Sequence, residues 1–469
     1  MLIGRKKEVE RIKNALNSGR SEFIAVYGRR RVGKTYLIRE TLKDRFTFSH
    51  SGLAHRNKAS QLAEFAKSLE LYGMHSKKRL RTWSDAFFAL QVGLSKSSAK
   101  RKVVFLDELP WMDTRKSDFV SALEHFWNGW CFMRNDIVLV VCGSATSWIV
   151  GKIIKNHGGL HNRLTDQIHL SPFSLFECEQ MAKARGLSYS RQQILDGYMI
   201  LGGVPYYWER LEKGKSLDQN IDAMFFGADA PLGDEFDQLY ASLFLNPCGH
   251  IRVVETLSKK KVGMTRDEII SESGLADNGA LTKTLNELAA CGFIRSYRSP
   301  GKVMRGKVYQ LMDNFTLFYY RFMSDRSRGC SDSWLARSIS REREVWNGLA
   351  FERVCLEHLP QIKTALGIAG VRTEAYSWRR HGDDGAQIDL LISRADNVVN
   401  ICEMKYSHEQ YEITAEEMGK MFHRRSAYVE DMDFDGSVFL TFVTPRGVKR
   451  NAYWNDIQSE VTLDDLFRD

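Results

Sequence analysis

The sequence has no long apolar run. No stretch approaches the roughly 18 consecutive apolar residues that a transmembrane helix needs, although 43% of all residues are hydrophobic. The first residues, MLIGRKK, become charged at once, unlike a secretory signal peptide. We therefore expect a soluble, cytoplasmic protein without a membrane partner.

Paired cysteines are also missing. Eight cysteines are scattered singly along the 469 residues, and no C-x-x-C pair occurs among them. This spacing suggests neither a zinc site nor a disulfide framework, and it predicts reduced, mostly buried thiols. Internal repeats and long linkers rich in Pro, Gly or Ser are absent from the sequence as well.

The length and the charge distribution indicate several domains. A chain of 469 residues exceeds the size at which one hydrophobic core stops growing, so we expect three or four units. The net charge is +9, but residues 1–110 carry 24 Lys and Arg against 10 Asp and Glu, whereas residues 411–469 carry 7 against 12. An attraction for polyanions would lie towards the front of the molecule, although solvated Lys and Arg explain much of the same excess.

A P-loop follows the first apolar strand. The octapeptide from Gly28 to Thr35 reads GRRRVGKT, and it connects a predicted strand at 22–27 to a helix from Lys34 on. The glycines, including Gly33, let backbone amides curl round phosphates, while the Lys34 ammonium reaches the β and γ oxygens. The Thr35 hydroxyl is expected to bind Mg²⁺. The motif therefore predicts an ATP site.

An acidic pair supplies the second half of this site. Asp107 and Glu108 follow a predicted apolar strand at 102–106, and a further buried strand is predicted at 137–142. Asp107 is expected to hold the metal, and Glu108 to orient the attacking water. The sequence therefore predicts Mg²⁺-dependent ATP hydrolysis on a parallel α/β sheet.

With these motifs in place, residues 1–240 resemble the archaeal-type P-loop ATPases of the STAND and AAA+ branch. The resemblance implies roles for four further residues in matching boxes of the sequence. They are Arg5 in LIGRKKE as a nucleotide contact, Ser144 in CGS as a γ-phosphate reader, Arg163 in LHNRL as an arginine finger, and Pro205 in the lid motif LGGVP.

Three of these positions have plain structural interpretations too. Arg163 fits a surface arginine, Ser144 a turn hydroxyl, and Gly203-Val204-Pro205 a break between two lid helices. Whether Arg163 would act on its own nucleotide or on that of a neighbour in a homo-oligomer is open. The loop arginines 29–31 are interpreted as solvated side chains, since a P-loop contacts phosphate chiefly through its backbone.

Residues 246–312 follow the order of a winged helix-turn-helix. A capping box at Thr265-Arg266-Asp267-Glu268 starts one helix, and a second helix at 277–291 ends before Gly292. A hairpin around Ser299-Pro300-Gly301 is predicted next. In a DNA complex the second helix would enter the major groove and the hairpin would meet phosphates, but such modules also bind proteins. The candidate contacts are Asn278, Thr282, Lys283, Asn286, Lys302, Arg305 and Lys307.

Residues 341–469 carry a second acidic motif. The predicted strands lie near 371–378, 388–394 and 398–406, the last two forming a hairpin. Glu403 and Lys405 share a strand face, while Asp389 begins the partner strand, which lets both carboxylates and the ammonium converge. Asp389 and Glu403 are expected to hold Mg²⁺ for phosphodiester cleavage, with Lys405 polarising the attacking water or the developing charge.

These residues resemble the PD-(D/E)XK nuclease superfamily, in particular a domain of unknown function that follows winged helices in the same ATPase family. The helix signature Gly348-x-x-Phe351-Glu352 belongs to the resemblance and implies Glu352 as a further carboxylate. The sequence departs from the pattern before Asp389, where Gln387-Ile388 takes the place of the proline. An exposed Glu-Lys pair, or a nuclease fold without activity, are the alternatives.

Together the motifs predict an α/β protein with five segments. These are a P-loop NTPase core with a parallel sheet at 1–170, a helical lid at 171–245, a winged helix-turn-helix at 246–312, a helical connector at 313–340 and a restriction-endonuclease-like α/β domain at 341–469. ATP and Mg²⁺ are the expected cofactors and DNA the expected partner, with the nucleotide state repositioning a DNA-cutting module. The alternative is a regulatory STAND-like ATPase whose C-terminal domain binds nucleic acid or protein without cutting.

Overall fold

The computed structural model describes residues 2–76, 79–155, 158–160, 162–227, 229–244, 246–297, 307–324, 334–337, 340–380, 382 and 384–469. The chain divides into two compact units, Met1–Pro172 and Phe173–Asp469. Within the described residues, no helix has the length and apolar character needed to cross a membrane.

The first unit is an α/β structure built around one sheet. Its strands are β1 (Glu22–Tyr27), β2 (Phe46–Ser51), β3 (Lys102–Asp107), β4 (Ile137–Gly143) and β5 (Asp166–His169). Its α-helices are α1 (Lys6–Asn17), α2 (Lys34–Leu42), α3 (Lys58–Leu71), α4 (Trp83–Lys96), α5 (Leu109–Met112), α6 (Phe119–Phe126) and α7 (Thr146–Trp148). A 3₁₀ segment (Lys43–Arg45) and two π segments (Trp127–Cys131 and Ile149–Ile154) are also present.

All strands of this sheet are parallel, in the order β2-β3-β4-β1-β5. β3 and β4 are buried along their whole length, which confirms the strands predicted from continuous apolar runs. Because parallel strands end at the same edge, the P-loop after β1, Asp107 at the end of β3 and Ser144 after β4 leave the sheet together. This carboxyl edge positions the candidate nucleotide site.

Alternate residues of β1 pack into two separate cores. Phe23 and Ala25 join a cluster with residues of α3, α4 and α6, while Ile24 and Val26 join one with residues of α1 and α2. The two-residue period of a strand sends neighbours to opposite faces, and burial of each large apolar side chain contributes about 1.5–3 kcal/mol. The strand that leads into the P-loop is therefore fixed from both sides.

The second unit begins with helices and contains two further sheets. The α-helices are α8 (Leu175–Ala184), α9 (Arg191–Leu201), α10 (Pro205–Trp208), α11 (Leu217–Phe225), α12 (Glu235–Leu243), α13 (Cys248–Ser258), α14 (Arg266–Ser273), α15 (Gly279–Ala290), α16 (Asn314–Phe318), α17 (Arg341–Glu357), α18 (Leu359–Ala365), α19 (Ala415–Met432) and α20 (Leu463–Leu466). The strands are β6 (Met264–Thr265), β7 (Ile294–Tyr297), β8 (Val308–Leu311), β9 (Thr373–Arg380), β10 (Ala386–Arg394), β11 (Val398–Met404), β12 (Ser437–Val443) and β13 (Ser459–Val461). A π segment (Tyr319–Met323) and two 3₁₀ segments (Trp334–Arg337 and Trp454–Asp456) are also described.

The elements from α13 to β8, called the helix–hairpin segment below, carry an antiparallel sheet in the order β6-β8-β7. The predicted capping box is present, since Thr265 and Glu268 each accept a backbone amide of the other. α15 begins at residue 279 instead of 277, because the Asn278 side chain caps it. The predicted turn at 299–301 lies outside the described residues.

The last sheet is mixed, in the order β13-β12-β11-β10-β9. β9, β10 and β11 pair antiparallel, whereas β11, β12 and β13 are parallel. The hairpin predicted between β10 and β11 is confirmed, and Asn397 in its turn has a φ of 59°. A register shift between Ile388 and Leu391 marks a β-bulge in β10 at Asp389. Such bulges re-aim side chains locally.

Candidate functional site

The P-loop takes its shape from two glycines. Gly28 has a φ of 148°, and a Cβ built on it would lie 2.2 Å from the carbonyl oxygen of Leu170. Gly33 has a φ of 87° and occupies the N-terminal cap of α2. Glycine alone fits the first position, because any side chain would collide with the backbone after β5. The loop therefore packs against the backbone of Leu170 in the same unit, and it leads into the N-terminus of α2, which is suited to bind phosphate.

Lys34 and Thr35 connect the loop to the acidic pair. The Lys34 side chain is buried, and its ammonium donates to the carbonyl oxygens of Gly28 at 2.9 Å and Arg29 at 2.8 Å. Thr35 Oγ1 donates to Asp107 Oδ2 at 2.9 Å. The structure thus brings the two predicted Mg²⁺ ligands together, and oxygen ligands of this kind suit that ion.

Glu108 is held by Ser144 across the ends of two neighbouring strands. Ser144 Oγ donates to Glu108 Oε1 at 2.6 Å, and the Ser144 amide donates to Oε2 at 3.3 Å. Glu108 has a φ of 48°, in the left-handed region that non-glycine residues seldom adopt. The predicted base and the predicted γ-phosphate reader therefore form one hydrogen-bonded pair.

Arg5 lies beside the chain that supports the P-loop. Its guanidinium donates to the Ser171 carbonyl oxygen at 2.5 Å, one residue beyond the Leu170 carbonyl that packs on Gly28. Arg5 also pairs with Glu8 at 3.8 Å and is 8% exposed. Arg5 therefore joins α1 to the end of the first unit, and its nucleotide contact stays a prediction.

Arg163 is not brought to the P-loop. It precedes β5, and its guanidinium lies 4.9 Å from the centroid of the Phe132 ring. Because Phe132 precedes β4, this position is at the amino edge of the sheet, opposite the P-loop. The arrangement does not place Arg163 on its own nucleotide.

Pro205 lies in the second unit, where it is the first residue of α10. Proline suits the first helical position because its missing N–H is not needed there. The preceding Gly203 packs against Phe173, whose carbonyl oxygen would lie 1.8 Å from an added Cβ. The described contacts fit the break between two helices, and a nucleotide role for Pro205 stays a prediction.

Arg29 corrects one expectation. The loop arginines were expected to be solvated, but Arg29 is 7% exposed, while Arg30 and Arg31 are half-buried. Gly28, which precedes Arg29, has a φ of 148°, a backbone conformation that side-chain-bearing residues rarely adopt. A sequence pattern cannot show this, because it does not give the orientation of successive loop residues.

A second candidate site lies in the C-terminal part of the second unit. The Lys261 ammonium is 2.6 Å from Glu352 Oε1 and 3.0 Å from Asp389 Oδ2. Gln387 donates to the other oxygen of Asp389 at 2.7 Å. Lys261 lies between α13 and β6, Glu352 on α17 and Asp389 on β10. One ammonium thus bridges two predicted site carboxylates.

Glu403 and Lys405 form the other half of this site. Lys405 Nζ is 2.9 Å from Glu403 Oε1, and Arg424 donates to Glu403 Oε2 at 2.6 Å. Lys405 also lies 3.8 Å from Glu417. The predicted Glu403–Lys405 pair is therefore present, with both Glu403 oxygens engaged by cations.

Strand register sets the two halves side by side. Leu390 lies opposite Cys402, and Asp389 and Glu403 each lie one residue beyond this pair, on neighbouring strands. Glu352 Oε2 is buried without a hydrogen-bond partner among the described residues. Within the part of the chain described, no three His, Cys, Asp or Glu side chains group as metal ligands.

Below, Glu352, Asp389, Glu403 and Lys405 are called the carboxylate cluster. Burial raises the pKa of Glu352 to about 7, and the negative charge of Asp389 adds to this rise. Burial also tends to raise the pKa of Asp389, but the Lys261 ammonium and the Gln387 amide outweigh it and hold that pKa below its usual value. A carboxyl that titrates near neutral pH therefore lies beside an ionised carboxylate.

The residues predicted to contact DNA are exposed where the structure describes them. Lys307 lies with its ammonium 5.3 Å from the centroid of the Tyr309 ring. Lys302 and Arg305 lie outside the described residues. The exposed candidates are Asn278, Thr282, Lys283, Asn286 and Lys307. They leave one face of α15 and the start of β8 open to solvent.

Comparison with known families bears on the first of these sites. Residues 2–211 match an ATPase domain found predominantly in Archaea. The matched range contains the P-loop, Asp107, Glu108, Ser144 and the whole parallel sheet. The chain therefore carries a P-loop ATPase domain, and the helix–hairpin segment and the carboxylate cluster lie beyond it.

Relatives of this chain occur in Methanocaldococcus jannaschii. An uncharacterised protein is 23% identical over 401 residues, which cover 83% of this chain and 84% of the relative. An uncharacterised ATP-binding protein is 42% identical over 45 residues, which cover 10% of this chain and 76% of the relative. Among solved structures, the Walker-type ATPase of Pyrococcus abyssi shares 13% identity at a TM-score of 0.49, covering 68% of this chain and 96% of that one.

Two residues that contact the carboxylate cluster, Lys261 and Arg424, are not predicted from the sequence. Lys261 ends a run of three lysines, and charge runs in loops are usually solvated. Arg424 lies on α19, far along the chain from Glu403, its partner. No local pattern signals either contact, because both depend on long-range packing.

Proposed function

We propose that this chain is an ATP-driven DNA-cleaving protein, in which the ATPase domain hydrolyses ATP with Mg²⁺ and the second unit binds and cuts DNA. The hydrogen bond between Thr35 and Asp107 carries the ATPase part, because it joins the two residue types that hold magnesium in P-loop proteins. The nuclease part is supported by Asp389 and Glu403, each one residue beyond the Leu390–Cys402 pair on neighbouring strands.

Each residue of the nucleotide site has a separate role in phosphoryl transfer to water. Lys34 contacts two neutral carbonyl oxygens, which phosphate oxygens can replace with a stronger, charge-assisted bond. Thr35 and Asp107 would hold the magnesium ion, which neutralises phosphate charge when it is bound. Glu108 positions the attacking water and accepts its proton.

Ser144 links the phosphate end of the site to Glu108. A hydroxyl donates one proton, and Glu108 Oε1 accepts it in this structure. If Ser144 donates to a γ-phosphate oxygen instead, Glu108 is released to contact water. Ser144 is therefore proposed as a positioning residue for the base.

The ATPase proposal is tested by Glu108→Gln. The amide keeps the size of the side chain but cannot accept a proton, so ATP binding should persist while turnover falls by about 10²–10⁴-fold. Binding is measured with a fluorescent ATP analogue and turnover by phosphate release. Glu64→Gln, which removes an exposed carboxylate paired with Lys67, should leave both unchanged. Undiminished hydrolysis in Glu108→Gln would assign the base to another residue.

The carboxylate cluster supports metal-dependent hydrolysis of a phosphodiester. Asp389 and Glu403 would hold the divalent ion, which polarises the scissile phosphate when it is bound. Lys405 lies beside Glu403 and is placed to orient the attacking water or to stabilise developing charge. Glu352, with a pKa of about 7, can accept or return a proton in the same place.

DNA contact is proposed for α15 and the hairpin that follows it. The exposed polar face of α15 suits the major groove, and the hairpin lysines suit backbone phosphates. Charge reversal at Lys302, Arg305 and Lys307 should lower the slope of log affinity against log salt by about one for each phosphate that the variant no longer binds. An unchanged slope in fluorescence anisotropy titrations would remove the hairpin from the DNA interface.

The nuclease proposal is tested by plasmid nicking with Mg²⁺ or Mn²⁺, in the presence and absence of ATP. Asp389→Asn and Lys405→Met should abolish any cleavage by the wild-type protein, because one removes a metal ligand and the other the adjacent ammonium. Lys420→Met removes an exposed lysine paired with Glu416 and should cut like wild type. Absence of cleavage by wild type under every nucleotide condition contradicts the proposal.

A second candidate function is a regulatory ATPase whose C-terminal domain binds without cutting. One observation favours it: both oxygens of Asp389 and both oxygens of Glu403 are engaged by protein donors. A cluster so neutralised is silent in this conformation. DNA affinity that responds to ATP, together with wild-type inactivity in the nicking assay, would support this function instead.

A further inference from the structure

The ammonium of Lys261 lies where the carboxylate cluster could bind a cation. Its Nζ atom contacts both Glu352 Oε1 and Asp389 Oδ2, although these two residues lie on separate elements. Glu352 is 7% exposed and its second oxygen lacks a hydrogen-bond partner among the described residues. A buried, unsatisfied carboxylate oxygen points to a ligand, since such atoms are normally paired.

The backbone around Lys261, residues 259–263, is held firmly. The Lys261 carbonyl oxygen accepts from Gln310 at 2.7 Å and from the guanidinium of Arg353, which adjoins Glu352. Gly263 has a φ of 86°, and an added Cβ would lie 2.3 Å from the Tyr309 carbonyl oxygen. The backbone that carries Lys261 is therefore held in place, and the lysine side chain reaches the carboxylates from it.

The rest of the helix–hairpin segment docks at the same end of the C-terminal sheet. Arg295 donates to Ser377 Oγ at 3.0 Å, and Ser377 donates to the backbone carbonyl of Asp389 at 2.6 Å. Tyr297 packs against the apolar core of this sheet. These contacts connect the helix–hairpin segment to the strand that carries Asp389.

We propose that the 259–263 loop is an autoinhibitory plug, in which the Lys261 ammonium, held by Asp389 and Glu352, stands where the divalent cation proposed for Asp389 would bind. The inference rests on the proposed metal-dependent function of the carboxylate cluster. A dication and an ammonium repel each other at this spacing, so binding of metal and docking of Lys261 exclude one another. Movement of the helix–hairpin segment, for example on DNA contact, opens the site.

The wild-type protein allows a direct test by lysine acylation and mass spectrometry. Lys260 and Lys261 have nearly equal side-chain exposure, 34% and 35%, but Lys260 pairs with Glu268 outside the cluster. Lys261 should acylate more slowly than Lys260, and Mn²⁺ should accelerate Lys261 alone. In Asp389→Asn the effect of Mn²⁺ should disappear. Equal acylation of Lys261 with and without Mn²⁺ in wild type would overturn the plug.

Metal affinity gives a second readout that does not depend on cleavage. Lys261→Met keeps the side-chain length without the charge, so Mn²⁺ should bind about tenfold more tightly or better than to wild type, by isothermal titration without nucleotide. Lys260→Met should match wild type, and adding Asp389→Asn to Lys261→Met should abolish the gain. Circular dichroism checks that the variants are folded. A folded Lys261→Met with unchanged Mn²⁺ affinity overturns the proposal.

The two proposals fail in distinguishable ways. Tighter Mn²⁺ binding by Lys261→Met without nicking supports the plug and rejects the nuclease. Nicking by wild type that Lys261→Met does not increase, at sub-saturating Mn²⁺, supports the nuclease and rejects the plug. Increased nicking together with tighter binding supports both.

Discussion

Each unit contains a lysine whose ammonium contacts two oxygen atoms, and the charge of these oxygen atoms differs between the two units. Lys34 donates to the carbonyl oxygens of Gly28 and Arg29, which carry only partial charge. Lys261 contacts Glu352 and Asp389, at least one of which is ionised. An anionic ligand can replace neutral acceptors, whereas an ammonium paired with carboxylates is held by opposite charge. The two lysines therefore differ in how strongly the protein itself engages them.

Among the variants that test this comparison, we expect Gly28→Ala to have the largest effect on ATP binding and stability. The new Cβ would collide with the Leu170 carbonyl oxygen at 2.2 Å, so ATP binding should be lost and the free energy of unfolding should fall by about 2–4 kcal/mol. Gly19→Ala is the matched control, because Gly19 also has a positive φ, 72°, but an added Cβ meets nothing within 4 Å. It should cost only about 1–2 kcal/mol and keep ATP affinity. Equal losses in urea unfolding would show that φ, not the collision, matters.

Lys34→Met should come next. Removing the ammonium takes away a charge-assisted contact to phosphate, so ATP affinity should fall about a hundredfold. The free energy of unfolding should change little, because the ammonium's only partners in the free protein that the structure describes are two neutral carbonyl oxygens, and such hydrogen bonds contribute little. Lys13→Met on the exposed side of α1 should keep wild-type affinity. Strong destabilisation by Lys34→Met would break the contrast with Lys261, since it would mean that the loop needs its lysine to fold.

Glu352→Gln tests the carboxylate cluster through pH. The pKa of Glu352 is about 7 in the folded chain against 4.5 as the ordinary value, so folding binds a proton between these pKa values. Wild-type stability should therefore fall as the pH rises from about 5 to 8, by about 2 kcal/mol more than that of the Gln variant. Urea unfolding across this range measures the difference. A difference between the two proteins that does not change with pH would contradict the raised pKa.

The smallest effect is expected from Ser144→Ala. Loss of the hydroxyl leaves Glu108 with only the Ser144 amide as donor, so the free energy of unfolding should fall by about 1 kcal/mol. Ser95→Ala, which removes an exposed hydroxyl bonded to the Gln91 carbonyl, should change stability less. An unchanged free energy of unfolding in Ser144→Ala would show that the Ser144–Glu108 pair contributes nothing to stability.

The sequence was most informative where function depends on neighbours along the chain. Strand, loop and helix at 22–42 follow from periodicity and glycine placement, and the acidic pair after β3 follows from the edge rule for parallel strands. The same locality predicted the capping box at Thr265 and the hairpin that carries Asp389 and Glu403. These features need no knowledge of distant packing.

Other features depend on which distant segments meet. Arg163 matches a sequence box, yet its place at the amino edge of the sheet follows from the path of the chain before β5. Arg29 is buried although it lies in a charged loop. Lys261 was missed because its partners, Glu352 and Asp389, are far away in the chain. Side-chain orientation and long-range ion pairs are set by tertiary structure, which a single sequence does not display.

The close approach of Gly28 to Leu170 has a consequence beyond the shape of the P-loop. Leu170 donates its amide to Tyr27, Ser171 accepts from Arg5, and Pro172 ends the first unit. The peptide that supports the phosphate loop is therefore two residues from the joint between the units along the chain. Because a Cβ at Gly28 would lie 2.2 Å from the Leu170 carbonyl oxygen, we expect the phosphate loop and this peptide to respond together to a substitution. A change at Gly28 should therefore disturb the last residues of the first unit as well as the loop itself.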